Sequence, residues 1–400
     1  MTSEEHYSLS ASGAIYSSGF ARYATWSRYL DVFDEVLVLA RVTRSQHQEN
    51  EQQRADGPRV SFRSLPDHTG PWQYLLARRH ARIIARQAIN DCDAYLLRMP
   101  GLVSQMVWRE ILYAKKPYAL EVMGDPWDLF GPGTWPHISR PIFRRIATLQ
   151  LKHSCAGATA LHYLTSQALQ RRYPPSKRAY AVGFTDALLE NACASPDILK
   201  ARDRRLHMSP WQDPKSCDPI RIGFVGSFAQ MYKGPDTLLH AAALCQSRLN
   251  FQLVMVGAGR YLPEMKTLAA KLCIADRVEF RGELSSGQAI FEFLDSIDLF
   301  AMPSRAEGLP RALVEAMSRG CPCIASSVGG IPELLEASDL VSPGSPEKLA
   351  KLILQVAADS NRLLAISARN LAKVAQFSPQ TLNDSRRVFL EEVKRRSSPS

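Results

Sequence analysis

The sequence predicts an α/β protein built as two doubly wound domains in tandem, with a cleft between them and a last helix crossing back to the first. Three observations carry this reading. Short apolar or β-branched runs alternate with amphipathic stretches, the rhythm of parallel strands joined by covering helices. That rhythm stops over residues 184–219, rich in Pro, Asp and polar side chains, and then restarts abruptly, which marks a border between domains. A chain of 400 residues also exceeds what one core usually serves. The division expected is 1–205, 206–378 and a C-terminal helix and tail, 379–400.

In the first half, strands are expected at 36–40, 60–63, 94–98, 118–122 and 158–164, short runs with β-branched or apolar residues. Helical periodicity fills 72–90, 102–113 and 140–154 between them. In the second half, strands are expected at 220–225, 251–256, 278–281, 299–301, 323–326 and 340–341, with helices at 236–246 and 262–272. The last helix, 379–396, carries Val388, Phe389, Leu390 and Val393, an apolar set suited to packing back over the first domain.

Composition narrows the class. Apolar residues make up 46% and charged residues 22%, ordinary for a globular protein. No run reaches the roughly 18 apolar residues that span a bilayer, and the start, Met1-Thr-Ser-Glu-Glu-His6, lacks a signal peptide's basic and apolar regions. The expectation is a cytoplasmic chain, touching at most the inner face of a membrane. Eight irregularly spaced cysteines read as free, mostly buried thiols, and Cys321-Pro-Cys323 has no second pair to complete a metal site.

The net charge of +10 lies mainly in residues 1–205, where 27 Lys and Arg face 19 Asp and Glu. Such a field is a solvated surface or one that draws anionic lipid or an acidic acceptor. Nucleic acid is not expected, for no basic motif interleaved with aromatics is present. Arg78, Arg82 and Arg86 share one helix face in 72–90, a candidate contact with anionic membrane.

Two segments carry chemistry. Strand 299–301 runs into Met302-Pro303-Ser304-Arg305-Ala306-Glu307-Gly308-Leu309-Pro310, with a helix expected from near Leu309. Gly308 allows close backbone approach, Pro310 suits a first helical turn, and the free amides there make an anion site. Glu307 stands before the helix and Glu315 about two turns into it, so that one carboxylate can face the mouth of the cleft while the other reaches a vicinal diol such as a ribose; as a bare Glu-x7-Glu pair they are also compatible with a cap and a solvated acid. Earlier, strand 220–225 ends in Gly226 and Ser227, and Lys233-Gly234 precedes the next helix, a point charge on a loop that can reach phosphate. Neither this loop nor Val256-Gly257-Ala258-Gly259 completes a Walker or dinucleotide fingerprint.

Over residues 220–335 the chain resembles the donor domain of the family-4 retaining glycosyltransferases, of GT-B fold. The resemblance rests on Gly226 with Lys233-Gly234, on Gly257 and Gly259, and on Phe280-Arg-Gly282. Met302-Pro-Ser304, Glu307-Gly-Leu-Pro310, Glu315-Ala-Met317, Gly320-Cys-Pro322 and Gly329-Gly330 continue it in order. The first half is similar more faintly, through the loop 13–19 and Gly124-Asp125-Pro126-Trp127-Asp128.

The resemblance implies a retaining, metal-independent hexosyltransferase that takes a UDP- or GDP-linked sugar as substrate, needs no cofactor, and acts on a glycan or lipid-linked acceptor. It implies that Lys233 and the amides of Gly308, Leu309, Pro310 and Arg311 hold the diphosphate, Glu307 the sugar and Glu315 the ribose. Gly226 and Ser227 join the donor site, while 13–19 and Gly124–Asp128 line the acceptor side. Two departures stand out. Ser227 replaces an arginine common in the family, so Arg305 or Arg311 is expected to supply its charge. Met123 stands where a histidine is common, and Asp125 is expected to take part of that role. A non-catalytic nucleotide-sugar binder and a sugar-nucleotide epimerase are the alternatives.

Overall fold

The structure, a computed structural model, describes the chain apart from residues 18, 20, 45–52, 67–70, 135–136, 186–192, 208–217, 286 and 398–400; of 71–78 it describes the backbone alone. The first half runs β1 (Thr2–Leu9), β2 (Ile15–Ser17), α1 (Tyr23–Ser27), β3 (Val36–Arg44), β4 (Val60–Leu65), α2 (Pro71–Asp91), β5 (Leu96–Met99) and α3 (Leu102–Tyr113). It continues with β6 (Ala119–Val122), α4 (Pro126–Leu129), α5 (Arg140–Gly157), β7 (Ala160–Tyr163), α6 (Ala168–Arg172) and β8 (Tyr180–Gly183).

These strands form two four-stranded sheets, ordered β2-β1-β3-β4 and β5-β6-β7-β8. All neighbours are parallel except β1 and β2, an antiparallel hairpin. The hairpin is a departure from the expected loop at 13–19: Ile15, Tyr16 and Ser17 pair with β1 and are buried. The sheets meet where Thr2 on β1 approaches β5, its Oγ1 accepting from the Arg98 amide at 3.1 Å.

After α7 (Pro196–His207) come β9 (Ile220–Val225), α8 (Pro235–Cys245), β10 (Phe251–Val256), α9 (Leu262–Lys271), β11 (Val278–Gly282), α10 (Gln288–Asp295), β12 (Leu299–Met302) and α11 (Arg311–Ser318). Then follow β13 (Cys323–Ser326), β14 (Leu340–Val341), α12 (Pro346–Ala357), α13 (Ser360–Val374) and α14 (Pro379–Ser397). One parallel six-stranded sheet, ordered β11-β10-β9-β12-β13-β14, holds this half together. β12 and β13 are buried along their whole length, so helices cover both faces, as continuous apolar runs require.

α7 runs across the 205/206 division drawn from the sequence. Its buried Arg202 donates to the carbonyls of Leu294, Ile297 and Arg319, which fastens the helix to the second half. α14 returns to the first half, as expected: Phe389, Leu390 and Val393 share a buried cluster with Leu96, Ala119, Ala160 and Phe184. The molecule is thus two Rossmann-like units facing a cleft, with α14 as the strap.

Candidate functional site

Connections leave β9 toward β10 on one side and β12 toward β13 on the other, so the strand order reverses between β9 and β12. Open α/β sheets bind ligands beyond the carboxyl ends of their strands at such a reversal. The two loops that start there are 226–234 and 303–310. A Cβ on Gly226 would lie 2.8 Å from the Phe224 ring and 3.2 Å from Lys233 Cγ, so its bare backbone gives the lysine stem room to lie against the strand end. Gly234 has φ of +70°, and its Cβ would stand 2.2 Å from the Pro303 carbonyl oxygen. The two loops are therefore in direct backbone contact.

Arg305 bolts them together. Its amide donates to the Tyr232 carbonyl at 2.6 Å, and its guanidinium forks onto Asp236 at 2.8 and 2.6 Å and reaches Thr237 Oγ1 and the Met231 carbonyl. The expectation that Arg305 supplies a missing phosphate charge is corrected by this: its donors bridge the loops rather than the cleft. Arg311, by contrast, lines the cleft. Ser227 donates to the Ala258 carbonyl at 3.4 Å, in the loop after β10, and accepts from the Ala229 amide, so its hydroxyl ties its own loop to that neighbour.

At the cleft floor the Lys233 ammonium donates to both Glu307 carboxylate oxygens, at 2.8 and 3.1 Å, and Ser304 Oγ donates to the same carboxylate at 2.7 Å. Burial pulls the Lys233 pKa down, but Glu307 outweighs it and the net shift is upward, so the ammonium stays charged. Beside them α11 begins at Arg311 rather than near Leu309. Pro310 is its extended N-cap residue, and no side chain caps the helix. Its first-turn amides and dipole thus face the cleft that Gly308, Leu309, Pro310 and Arg311 line. Glu315, one turn further on, has its pKa raised by burial, with Arg311 acting in the opposite direction.

The cleft has a volume of about 390 Å³ and both halves line it, a size within the usual range for small-ligand sites. From the first half come Glu5, Arg28, Arg98, Met123, Gly124, Asp125 and Leu164; from the second, Tyr232, Lys233 and 306–311. Gly226, Ser227 and Glu315 lie outside this lining, as does Gly13. Asp125 reaches the cleft but is heavily engaged: it accepts from the Trp127 amide at 2.8 Å, from Tyr173 Oη and from Arg172. It caps α4 and fixes the rim. Met123 lies at the seam, where a Cβ on Gly308 would come within 2.6 Å of its carbonyl oxygen.

The sequence reading missed Glu5, Arg28, Arg98 and Tyr232. Arg98 pairs at 3.1 Å with Glu121, a buried acid that also accepts from Tyr29 Oη at 2.7 Å. A charged residue near the carboxyl end of an apolar strand was the available signal for Arg98. In α2, Arg82 and Arg86 both bond Glu110 of α3, whose side chain is 1% exposed. The basic stripe read as a lipid contact is therefore partly turned inward; the Arg78 side chain lies outside the described residues. Among the described residues the cysteines are free, and burial raises the Cys321 thiol to about 11.

Residues 209–374 match the family described as glycosyl transferases group 1. Protein CapJ of Staphylococcus aureus is 27% identical over 84% of this chain and 81% of its own length. A GDP-mannose-dependent monoacylated alpha-(1-6)-phosphatidylinositol monomannoside mannosyltransferase of Corynebacterium glutamicum is 34% identical over 38% of this chain and 42% of its own. Among solved structures, Anabaena Alr3699/HepE in complex with UDP and glucose superposes with a TM-score of 0.66 at 20% identity, over 97% of this chain and all of that one. This likeness establishes the GT-B fold.

Proposed function

We propose, from the glycosyl transferases group 1 domain that this chain carries within a GT-B fold, that it moves a hexosyl group from a UDP- or GDP-linked sugar to a glycan or lipid-linked acceptor with retention of anomeric configuration. The observation that carries this reading is the Lys233–Glu307 pair beside the uncapped start of α11. Cleaving the sugar–phosphate bond puts negative charge on the leaving diphosphate and positive charge on the anomeric carbon. Lys233, Arg311 and the first amides of α11 would receive the first, and a preorganised donor of this kind is worth about 3–4 kcal/mol.

Donor binding would split the pair, the ammonium turning to phosphate and the Glu307 carboxylate to sugar hydroxyls. Ser304 would keep the carboxylate oriented meanwhile. The acceptor hydroxyl attacks on the face the diphosphate leaves, and a phosphate oxygen takes its proton. That route asks for neither an enzymic nucleophile nor a metal. Asp125 acts here as a positioning residue, holding 124–128 at the rim.

The reading is tested by incubating the chain with a panel of sugar nucleotides and following slow donor hydrolysis. One base and sugar turned over above the others supports it. Tight binding with no hydrolysis of any donor would leave a nucleotide-sugar binder, and conversion to an epimeric sugar nucleotide would give the epimerase reading.

A further inference from the structure

One exposed surface that the transfer reaction leaves unused is the outer face of α5. The outward side of its first turns is open: Ile142 is 61% exposed and Leu149 64%, Phe143 and Ile146 are about half exposed, and Ile138 just before the helix is almost fully bare. Ile142, Ile146 and Leu149 fall at i, i+4 and i+7, one continuous apolar stripe. The residues α5 buries, Thr148, Leu151, Ser154 and Cys155, lie on the opposite side. Along its 18 residues the helix holds Arg140, Arg144, Arg145 and Lys152 and no acid. Apolar patches this concentrated on a surface mark a contact.

We propose that this face of α5 docks on an anionic lipid surface. A helix lying in a bilayer interface has this make-up, bulky aliphatic side chains on one face with cations beside them. Charge complementarity selects the partner. A second copy meeting the same face across a two-fold axis would bring its Arg145 and Lys152, the two exposed cations flanking the stripe, against the same pair here, with no acid on either helix to offset them. Phospholipid headgroups supply the missing anions, and acyl chains receive Ile142, Ile146 and Leu149.

The docking helix is also tied to the cleft. Arg144 stacks on the Trp127 ring at 3.7 Å and donates to the Trp127 carbonyl, and α4, which carries Trp127, presents Leu129 to the cleft. Trp127 is itself part exposed, an amphipathic ring of the kind that settles at headgroup level. A docked α5 thus holds the acceptor side of the cleft at the lipid surface. Binding itself does not depend on the transfer reaction, so its test reads partition rather than turnover.

The test is co-sedimentation of the full chain with phosphatidylcholine vesicles, plain or mixed with phosphatidylglycerol. The chain should pellet with the mixed vesicles, and much less with the plain ones. The exposed triple variant Ile142→Ser/Ile146→Ser/Leu149→Ser should partition at least about tenfold less. Arg145→Gln/Lys152→Gln should lose about fivefold per cation removed, with a shallower salt dependence. Unchanged circular dichroism and UDP or GDP binding would show both variants intact. Failure of the natural chain to bind the mixed vesicles, or equal binding by the triple variant, would overturn the proposal. So would a dimer in analytical ultracentrifugation that the triple variant dissolves, which gives the face to a second copy.

Discussion

Lys233 and Glu307 satisfy each other in the structure, so each is poised and neither is idle. Removing either should cost the reaction directly and the fold as well, because the pair is largely buried and the partner is left charged without its counter-ion. Lys233→Ala and Glu307→Ala are each expected to lower turnover at least tenfold, and up to the hundredfold or more that a lost transition-state donor typically costs. Single-turnover rates with thermal melting as a control check this; near-normal rates in both would remove the site assignment. Glu315 gives a second expectation, in pH. Burial raises its carboxyl pKa above the unfolded value, so its share of stability is complete below the ordinary glutamate range and is lost as pH rises through the folded pKa. Glu315→Gln escapes that loss. Its melting temperature should match the natural chain near pH 4, about the unperturbed glutamate value, and exceed it toward neutrality. Nucleoside diphosphate binding should weaken about tenfold or more in the same variant, if the carboxylate holds a ribose diol.

At the scale of elements, the loops after β9 and β12 function as one unit because glycine lets them touch. Gly234→Ala would place a Cβ 2.2 Å from the Pro303 oxygen at a positive φ. The expected cost is about 1–3 kcal/mol of stability with a larger loss of turnover, since Lys233 is the neighbour that must shift; calorimetry and donor hydrolysis on one sample separate the two effects. These loops were legible in the sequence for a physical reason. β12 is buried along its whole length and reads as an unbroken apolar run, β9 is broken only by the exposed Arg221 and by Gly223, and the ends of both carry the glycines and charges a ligand site needs. β1 was harder to read, since Glu4, Glu5 and His6 interrupt it and its pairing with β2 is that of an edge hairpin. α7 was hidden by its highly polar sequence, Pro196-Asp-Ile-Leu-Lys-Ala-Arg-Asp-Arg-Arg-Leu-His207, set within a Pro-rich and Asp-rich stretch. Its anchors are two buried residues, Arg202 and Leu206, and the Arg205–Asp298 pair rather than an apolar stripe. α5 misled in the opposite sense: its periodicity was visible, but periodicity does not say whether an apolar stripe faces a core or the outside.

At the scale of the whole molecule, the proposed transfer would part the two halves for donor entry and product release, and the contacts across the seam would then set how firmly the cleft is held. One of them is electrostatic. Glu333, in the second half, accepts hydrogen bonds from the amides of Ser166, Gln167 and Ala168 at 2.6, 3.0 and 2.7 Å, at the start of α6 in the first half. A carboxylate on helix-start amides is doubly favoured, by its charge and by the amides having no partner within the helix. Hydrogen bonds to a charged group contribute about 1.5–3 kcal/mol, so Glu333→Ala should move the closed-to-open ratio by about tenfold to a hundredfold. The strap α14 is packed on Leu96, Ala119 and Ala160 of the first half, so the change expected is a hinge rather than a separation. Faster hydrogen exchange at 166–168, with a larger radius of gyration in small-angle scattering, is the expected result. Donor KM should rise while Lys233 and Glu307 remain intact. Identical exchange and scattering in the variant and the natural chain would show that Leu164 and Leu309, packed across the same seam with Gly308 against Met123, hold the cleft without the carboxylate.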